Sequence, residues 1–463
     1  MSKLRFYIAL WAAKLSVPAL RITKHQATNF PGELALKICP DFLRYVARPG
    51  RIIAVTGTNG KTTVCNLLCD LLEKQGLRVL NNRYGSNINS GIATSMISGV
   101  GIFNRAKYQA AVLEVDERSS KRIYPYIKPD LLLITNLFRD SIMRNAHPKY
   151  IADFLTDSIP PDTRLVLNAD DLISANVAPN NPRVYFGIGP MATDVSECIN
   201  LINDMQICPR CHSELKYEYL RYHHIGKAYC PDCGFKAPES DYYAHDVDFE
   251  NMRLTLRDGD EEVEYPLLSD SIFNAYNVAA AVAVLRELGV SHADIKRAFD
   301  GTSLVASRYK AEDVGKIKLI SHMAKEKNAL ACSRAFEYVA GQPGRKEILL
   351  LMNCIGDEKH WLENISWLYD CDFEFLNDPG VELLVVTGKR AADYKYRLLL
   401  AGVPEERIRL DHDPYAAADL LDYTPGDCLY ILHGVDSVPL AAKVREYVAA
   451  RALEKADSPA DSE

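Results

Sequence analysis

The chain has 463 residues and a formal net charge of −7, and 48% of its residues are hydrophobic and 25% charged. This length predicts two or three domains, and the negative charge argues against a dedicated nucleic-acid binder. No apolar run approaches the roughly 20 residues that a membrane-spanning helix requires. The chain has twelve cysteines. Most of them lie in apolar surroundings, which is typical of buried thiols in a reducing cytoplasm and not of a disulfide framework.

The first 50 residues precede the first strong strand pattern. Residues 1–25 mix apolar side chains with basic ones, and two structures fit this pattern: an interfacial helix on a membrane, or a helix packed on the first domain. We expect the second, a helical lead-in over residues 1–50 that packs on the central domain. The basic residues of this stretch are Lys3, Arg5, Lys14, Arg21 and Lys24.

A glycine-rich turn then joins a predicted strand to a predicted helix. The run Ile52 to Val55 predicts the strand, and apolar residues at helical spacing follow from Val64 onward. Such a turn points backbone N–H groups inward, the helix N-terminus adds partial positive charge, and Lys61 adds a point charge. The Thr62 hydroxyl is placed to ligate Mg²⁺. We predict a nucleotide phosphate and Mg²⁺ site formed by Gly57, Thr58, Asn59, Gly60, Lys61, Thr62 and Thr63.

Carboxylates follow the next strand pattern. Strand-like runs at 110–115, 131–135 and 164–168 alternate with helical stretches and predict a parallel α/β sheet. The first run ends in Glu114, Val115, Asp116 and Glu117. Carboxylates at the carboxyl edge of a strand beside a phosphate loop are where Mg²⁺ is held. Asp116 and Glu117 can equally cap the following helix.

Four cysteines form two paired motifs with the spacing C-x₂-C-x₁₈-C-x₂-C. This spacing brings four thiolates to the corners of a tetrahedron, which Zn²⁺ prefers, and it leaves no open position for catalysis. Basic and tyrosine residues between the pairs also suit a nucleic-acid-binding ribbon. Neighbouring acidic residues and the acidic chain favour the structural zinc site, and His212 stands where a glycine usually follows the second cysteine. The predicted zinc ligands are Cys208, Cys211, Cys230 and Cys233.

The remaining pattern predicts an antiparallel region and then a second α/β domain. Segments around 242–256 and 262–267 look antiparallel, and a helix is predicted over 273–288. A second alternation begins near residue 311. Its predicted strands are 317–320, 347–353, 382–387 and 428–432, and its predicted helices include 391–401 and 440–452. We therefore expect a central domain over 51–310 with a ribbon insert at about 201–238, and a C-terminal domain over 311–463.

The phosphate loop resembles that of the Mur ligase superfamily, the ATP-dependent amide-forming enzymes of cell-wall and folate metabolism. Three further segments resemble the MurT family: 82–87 with 91–94, 135–140, and 167–171. The resemblance implies a Mur ligase-like central P-loop domain with a parallel sheet and an inserted four-cysteine zinc ribbon. It also implies a C-terminal Rossmann-like α/β domain.

The same resemblance implies roles for individual residues. Glu114 is expected to face the metal, Asn277 to lie near the adenine, and Arg308 to reach an ATP phosphate from the domain boundary. Read alone, Asn277 would be a turn residue at a helix start. Lys325 or Lys327 resembles a lysine of the family's second domain, although an exposed lysine is usually only a solvated charge.

One position departs from the family. MurT proteins carry an aspartate that is thought to complete the Cys–His pair of a separate glutaminase, and Asn364 occupies the matching position here. An amide cannot supply the negative charge that stabilises an imidazolium. Either Asp357 or Asp370 takes this role, or the partner differs, and both carboxylates can equally be solvent-facing loop residues.

The resemblance predicts an ATP- and Mg²⁺-dependent ligase with a structural Zn²⁺. It would amidate the D-glutamate carboxylate of lipid II to D-isoglutamine through an acyl phosphate. Because this chain shows no glutaminase signature, the ammonia would come from a GatD-like class I glutaminase in a heterodimer. We expect a cytoplasmic protein that works at the inner membrane face and binds no nucleic acid. The alternatives are an amino-acid ligase of the Mur or folylpolyglutamate type, and a non-catalytic nucleotide-binding scaffold.

Overall fold

The computed structural model describes residues 2–22, 28–83, 86–139, 147–302, 309–352 and 365–457. These residues form two compact units. The first unit contains the described residues up to Ile199 and from Asn203 to Thr302. The second contains Asn200 to Ile202 and the described residues from Tyr309 onward.

The first unit is built on a nine-stranded sheet, counted over the described residues. Its order is β11-β10-β9-β6-β5-β4-β1-β3-β2, with parallel pairing from β9 to β2 and antiparallel pairing of β10 and β11. The predicted parallel sheet and antiparallel region are therefore confirmed. The strands are β1 (Arg51–Thr56), β2 (Val79–Asn81), β3 (Ala110–Glu114), β4 (Leu131–Ile134), β5 (Arg164–Asn168), β6 (Arg183–Ile188), β9 (Tyr242–Asp248), β10 (Arg253–Asp258) and β11 (Glu261–Pro266).

Helices cover this sheet because its strands carry apolar residues on both faces. Ile52 and Ala54 of β1 belong to a core that also contains residues of the N-terminal helices. The helix over 272–287 is buried along nearly its whole length. The helices are α1 (Ser2–Ile22), α2 (Phe30–Ile38), α3 (Phe42–Tyr45), α4 (Lys61–Lys74), α5 (Asn89–Gly99), α6 (Ser120–Ile123), α7 (Pro148–Ser158), α8 (Leu172–Ala175), α9 (Ile272–Glu287) and α10 (His292–Phe299).

A small ribbon is inserted between β6 and β9. Its strands β7 (Lys216–Tyr222) and β8 (Ile225–Tyr229) form an antiparallel hairpin. The hairpin has its own small core, which includes Leu215, Ala228, Cys208 and Cys230.

The second unit is a six-stranded sheet over the residues described there, with helices on both faces. Its order is β12-β13-β17-β14-β15-β16, and only β12 is antiparallel. Ile348 and Leu350 face one core while Leu349 and Leu351 face the other, as a doubly wound fold requires. The elements are β12 (Tyr309–Val314), β13 (Ile317–Met323), α11 (Ala329–Ala340), β14 (Lys346–Leu351), β15 (Val381–Val386), α12 (Ala391–Leu400), β16 (Ile408–Leu410), α13 (Pro414–Asp419), β17 (Cys428–His433) and α14 (Val438–Asp457).

Candidate active site

The glycine-rich turn lies between β1 and α4 and depends on two glycines. Gly57 has a φ of 127° and Gly60 a φ of 85°, conformations that other residues rarely adopt. A Cβ atom on Gly57 would lie 2.3 Å from Thr135 Oγ1, and one on Gly60 would lie 2.7 Å from Asn277 Oδ1. Both positions therefore require glycine for backbone conformation and for space.

The segment that follows β4 holds this turn in place through hydrogen bonds. The Asn136 carbonyl accepts a hydrogen bond from Thr58 N at 2.7 Å, and Asn136 Oδ1 accepts one from Asn59 N at 3.0 Å. Thr135 Oγ1 donates to the Asn59 carbonyl at 2.6 Å, and Phe138 N donates to Thr58 Oγ1 at 2.9 Å. Residues 135–138 of this motif therefore hold the shape of the phosphate loop, a role that the resemblance alone does not reveal.

Lys61 is held by a carboxylate that the sequence left ambiguous. Glu117 Oε1 accepts hydrogen bonds from Lys61 Nζ at 2.9 Å and from Gly57 N at 3.1 Å. Asp116 instead accepts from Arg118 N at 3.1 Å and caps the short turn that follows β3. The two carboxylates thus have different roles: Asp116 is a cap, and Glu117 belongs to the phosphate loop.

Glu117 is buried and Lys61 is partly buried, and each affects the ionisation of the other. Burial alone would lower the pKa of Lys61, but the facing Glu117 carboxylate, together with Glu114 and Asp116, outweighs it and the pKa is raised. Burial raises the pKa of Glu117, and Lys61 limits that rise. Lys61 therefore remains charged at neutral pH, as a phosphate-binding lysine must.

Thr62 and Glu114 meet at the mouth of the loop. Thr62 Oγ1 donates to Glu114 Oε2 at 2.7 Å, and Asn87 Nδ2 donates to Glu114 Oε1 at 3.0 Å. The side chain of Asn82 bonds the Glu114 backbone on both sides, accepting from N at 2.9 Å and donating to O at 2.8 Å. Mg²⁺ takes oxygen ligands at 2.0–2.1 Å in an octahedron, so adjacent ligand oxygens lie about 2.9 Å apart. Thr62 and Glu114 fit that requirement in both chemistry and spacing.

A small aromatic pocket adjoins the loop on the side of α9. Asn277 and Gly60 form one wall of it, and the rings of Tyr222 and Phe273 lie 5.2 Å apart at another. Tyr222 is the last residue of β7, so the ribbon contributes directly to this pocket. The pocket is lined by Gly60, Thr135, Asn136, Phe186, Tyr222, Phe273, Tyr276, Asn277 and Ala280.

A buried ion network holds the hairpin of the ribbon in this place. Arg221 Nη2 contacts Asp194 Oδ2 at 2.8 Å, and its Nη1 lies 3.5 Å from Asp170 Oδ2. Tyr276 OH donates to the same oxygen of Asp170 at 2.7 Å. All three charged side chains are nearly inaccessible to solvent, so removing one would leave an uncompensated buried charge. The network therefore links β7 to α9 and to the end of β5.

The four predicted cysteine ligands converge at the tip of the ribbon. Their sulfur atoms all lie within 4.8 Å of one another, with Cys208 and Cys233 at 3.7 Å and Cys211 and Cys230 at 3.5 Å. A tetrahedral site with Zn–S bonds of about 2.3 Å places its sulfurs about 3.8 Å apart. The donor set and its spacing therefore fit a closed structural Zn²⁺ site.

The two cysteine pairs have matching backbone conformations. Gly234 follows the second pair with a φ of 69°, and His212 follows the first with a φ of 66°. His212, which stands where a glycine is usual, therefore has a left-handed backbone conformation that glycine adopts at lower cost.

Several predicted residues lie elsewhere. Arg308, Asp357 and Asn364 are outside the described residues. Asp370 lies in the second unit, half-buried at the end of a short turn that spans Ser366–Tyr369. Thr63 lies in the first turn of α4, beside the residues that form the loop.

Two acidic neighbours of Asp370 have structural partners. Asp372 is buried and accepts hydrogen bonds from Asn200 Nδ2 at 2.9 Å and Leu201 N at 2.6 Å, all within the second unit. Glu374 pairs with Arg397 at 2.9 Å. Asp372 and Glu374 therefore have structural roles within the second unit.

The loop after β13 carries backbone strain at both candidate lysines. Lys325 has a φ of 53° and Lys327 a φ of 71°, and Asn328 then caps α11 by accepting from Ala331 N at 2.9 Å. Non-glycine residues in this conformation cost about 1–3 kcal/mol each and cluster at functional sites. Lys327 lies 3.6 Å from Asp436, which follows β17, so the loop lies at the carboxyl edge of the sheet.

The sequence alone does not reveal four contributors to the site. In the sequence, Glu117 is a possible cap, Tyr222 is part of a ribbon, and Asn82 and Asn87 are only parts of a motif. No spacing rule predicts these contacts, because each joins segments that are distant along the chain. The one usable signal was the concentration of asparagines and carboxylates after predicted parallel strands, which meet at one sheet edge.

Comparisons with known proteins agree with this geometry. A family model described as the Mur ligase middle domain matches residues 55–285, and one described as MurT ligase C-terminal matches residues 326–435. The lipid II isoglutaminyl synthase (glutamine-hydrolyzing) subunit MurT of Staphylococcus aureus (strain COL) is 31% identical over 430 residues, covering 91% of this chain and 93% of the relative. The Streptococcus pneumoniae (strain ATCC BAA-255 / R6) subunit of the same name is 31% identical over 389 residues, covering 83% and 84%.

A solved structure shows the same fold. The pseudomurein peptide ligase type C from Methanothermus fervidus superposes with a TM-score of 0.66 at 21% identity, covering 88% of this chain and 81% of that protein. The predicted Mur ligase-like α/β architecture is therefore confirmed.

Proposed function

The chain belongs to the MurT family of Mur ligase-like proteins, and we propose that it amidates the D-glutamate carboxylate of lipid II to D-isoglutamine. The observation that carries this proposal is the joint geometry of the phosphate loop and Glu114, in a chain that shares 31% identity with MurT subunits over nearly its full length. Mur ligases use ATP and Mg²⁺, and the site has the groups that both need.

Different residues of the site would bind different parts of the nucleotide. The backbone N–H groups of Gly60, Lys61 and Thr62 at the start of α4, together with the Lys61 ammonium, would hold the β- and γ-phosphates. Thr62 and Glu114 would hold Mg²⁺, which supplies positive charge to the phosphate oxygens during transfer. Asn277, Tyr222 and Phe273 would contact the adenine, and Arg308 would reach a phosphate from the domain boundary.

The reaction would proceed in two steps, phosphorylation of the carboxylate and then attack by ammonia. A carboxylate oxygen of D-glutamate attacks the γ-phosphorus, the bond to the β-phosphate bridging oxygen breaks, and ADP leaves with an acyl phosphate formed. Ammonia nitrogen then attacks the acyl carbon, inorganic phosphate leaves with the transferred oxygen, and a proton is lost. The chain contributes by fixing Lys61 and Glu114 before substrate arrives, which lowers the cost of organising charge in the transition state. Lys325 or Lys327 would bind the acceptor or its phosphate.

A separate subunit would supply the ammonia. We propose a heterodimer with a GatD-like class I glutaminase, with Asp370 or Asp357 completing its Cys–His pair in place of Asn364. Work on a lipid-linked substrate would take place at the inner face of the cytoplasmic membrane.

The test is mass spectrometry of lipid II incubated with the protein, ATP, Mg²⁺ and ammonium chloride. Free ammonia replaces the glutaminase, so this assay isolates the ligase half. The proposal requires a mass decrease of about one dalton on the D-glutamyl residue, which Lys61→Ala abolishes. An amino-acid ligase would instead add the mass of an amino acid when amino acids are supplied. A scaffold would bind ATP and leave lipid II unchanged.

A further inference from the structure

The outer face of α1 carries an apolar stripe that no described residue covers. Leu4, Ile8, Trp11 and Leu15 recur at spacings of four, three and four, so they lie along one side of the helix. Between 46% and 72% of each side chain is exposed. A single exposed apolar residue needs no explanation, but a continuous stripe indicates an interaction surface.

The opposite face of α1 already packs on the first unit. Phe6, Ala9, Leu10 and Ala13 are buried in the core there, and the ring of Phe6 stacks on Phe42 at 5.0 Å. The stripe is therefore additional to what the fold needs. A helix that is apolar on both sides requires a second apolar environment.

A neighbouring loop extends the stripe. Trp11 Nε1 donates to the Ile102 carbonyl at 2.9 Å, which places the loop after α5 beside the helix. The side chains of Ile102 and Phe103 are 56% and 71% exposed, and Arg105 and Lys107 follow them on the surface. Helix and loop together present aliphatic and aromatic side chains next to cations.

The N-terminal segment that contains α1 has a net charge opposite in sign to that of the whole chain. The first 50 residues contain eight Lys or Arg and two Asp or Glu, a formal charge of +6 in a chain of −7. The two acids have local partners, since Glu33 pairs with Lys37 at 2.8 Å and Asp41 accepts from Cys39 Sγ at 3.3 Å. Lys3 and Arg5 are exposed beside the stripe. This excess of positive charge would make two copies of the surface repel one another.

We propose that α1 and the loop at Ile102 and Phe103 form a docking surface for an anionic lipid bilayer. Apolar side chains with an interfacial tryptophan and flanking cations are what a helix lying in the headgroup region requires. No described helix is long and apolar enough to cross a membrane. The sequence-based prediction that this helix packs on the first domain describes the inner face of α1, and the docking surface is its outer face.

The experiment measures co-sedimentation of the full chain with vesicles of phosphatidylglycerol mixed with phosphatidylcholine, and with vesicles of phosphatidylcholine alone. We expect binding to the first, weakened by added salt, and little binding to the second. Leu4→Gln with Leu15→Gln should weaken binding about tenfold or more, because two apolar anchors are lost. The matched control is Leu400→Gln with Leu453→Gln, at residues 55% and 50% exposed in the second unit, which should bind like the unmodified chain.

Tryptophan quenching by brominated lipid gives a second readout. Trp11 should be quenched when vesicles are added, and Trp11→Phe should lose that quenching while still sedimenting. The proposal is overturned if phosphatidylglycerol vesicles do not bind, or if the Leu4/Leu15 variant binds undiminished. It is also overturned if that variant only converts a dimer to a monomer, which would make a second copy the occupant. Since the vesicles contain neither lipid II nor ATP, this result is independent of the amidation assay.

Discussion

The hydroxyl of Thr62 donates to the carboxylate of Glu114 at 2.7 Å, and this contact joins the first turn of the phosphate-loop helix to the end of the adjacent strand. The two residues lie on different elements, Thr62 on α4 and Glu114 on β3. Their contact is therefore a product of the parallel pairing of β1 with β3, in which Val55 pairs with Glu114. It places two oxygen ligands of the kind Mg²⁺ prefers beside the loop.

The first prediction concerns this pair. Thr62→Val removes one oxygen at nearly constant shape and should raise the Mg²⁺ concentration for half-maximal ATP turnover about tenfold or more. Thr62→Ser keeps the oxygen and should stay close to the unmodified protein. A Mg²⁺ titration of turnover measures both, and an unchanged requirement in Thr62→Val would remove Thr62 from the metal site.

The second prediction concerns Asn87, which orients the same carboxylate through its 3.0 Å hydrogen bond to Glu114 Oε1. Asn87→Ala should raise the Mg²⁺ requirement while changing the free energy of unfolding by only about 1 kcal/mol. Asn87→Asp places a second negative charge there and should perturb the titration further. Equal Mg²⁺ titrations for all three proteins would show that Asn87 does not position Glu114.

A third prediction follows from the pair of Lys61 and Glu117. Lys61→Met leaves a buried carboxylate without its cation, and its destabilisation should reach about 3–5 kcal/mol. Burial raises the pKa of Glu117 in the folded protein, and Lys61→Met removes the cation that opposes this rise. Because the folded pKa then exceeds the unfolded one, stability is retained at low pH and lost as pH rises through the folded pKa. The variant should therefore be closer to the unmodified protein at acidic than at alkaline pH in denaturant unfolding.

The double variant separates stability from chemistry. Lys61→Met with Glu117→Gln should recover most of the lost unfolding free energy, because no unpaired charge remains, but it should not recover ATP turnover. If the double variant is as unstable as Lys61→Met, the buried charge is not the cause.

The fourth prediction concerns Tyr222, where the ribbon meets the nucleotide pocket. Tyr222→Leu should weaken ATP binding about fivefold to tenfold through the loss of an aromatic wall, and Tyr222→Phe should not. Tyr229→Leu, on the other strand of the hairpin and outside the pocket lining, is the control. Calorimetric binding together with zinc content per chain distinguishes a local effect from loss of the ribbon. Equal affinities for Tyr222→Leu and Tyr229→Leu would contradict the role given to Tyr222.

A fifth prediction uses the two matching positions after the cysteine pairs. His212→Gly should raise the free energy of unfolding by about 0.5–1 kcal/mol because it relieves a left-handed backbone at a non-glycine residue. Gly234→Ala, at the corresponding position, should lower it by about 1 kcal/mol or more. Thermal unfolding with zinc in excess measures both, and changes of the same sign would show that backbone conformation does not dominate.

Much of the architecture was predictable because it follows from local pattern. The strand 164–168 and the start of the helix at 391 were placed at their observed bounds, and most other elements differ by one to three residues. The four cysteine ligands can be predicted from their spacing alone, because the ligands of a zinc site of this type come in pairs that are close together in the sequence.

The site was predictable only in part, because its remaining contacts depend on which segments become neighbours. The sequence predicts that Lys61 binds a phosphate. It does not distinguish Glu117, the protein partner of Lys61, from the capping residue Asp116 one position before it. Nothing in the sequence around Tyr222 predicts a pocket, because Phe273, its neighbour in space, is far away along the chain. The strand order that brings the two residues together cannot be predicted from either segment alone. Burial, which separates Glu117 from an exposed carboxylate, is likewise a property of the packed sheet.

We propose that the loop at Lys61 activates a carboxylate by phosphorylating it. The most direct measurement uses lipid II with both D-glutamyl carboxylate oxygens labelled with ¹⁸O, incubated with the protein, ATP, Mg²⁺ and ammonium chloride. An acyl phosphate intermediate requires that each amide formed is accompanied by one ¹⁸O in inorganic phosphate, with the other retained in the amide. Amide formation with unlabelled phosphate would contradict it.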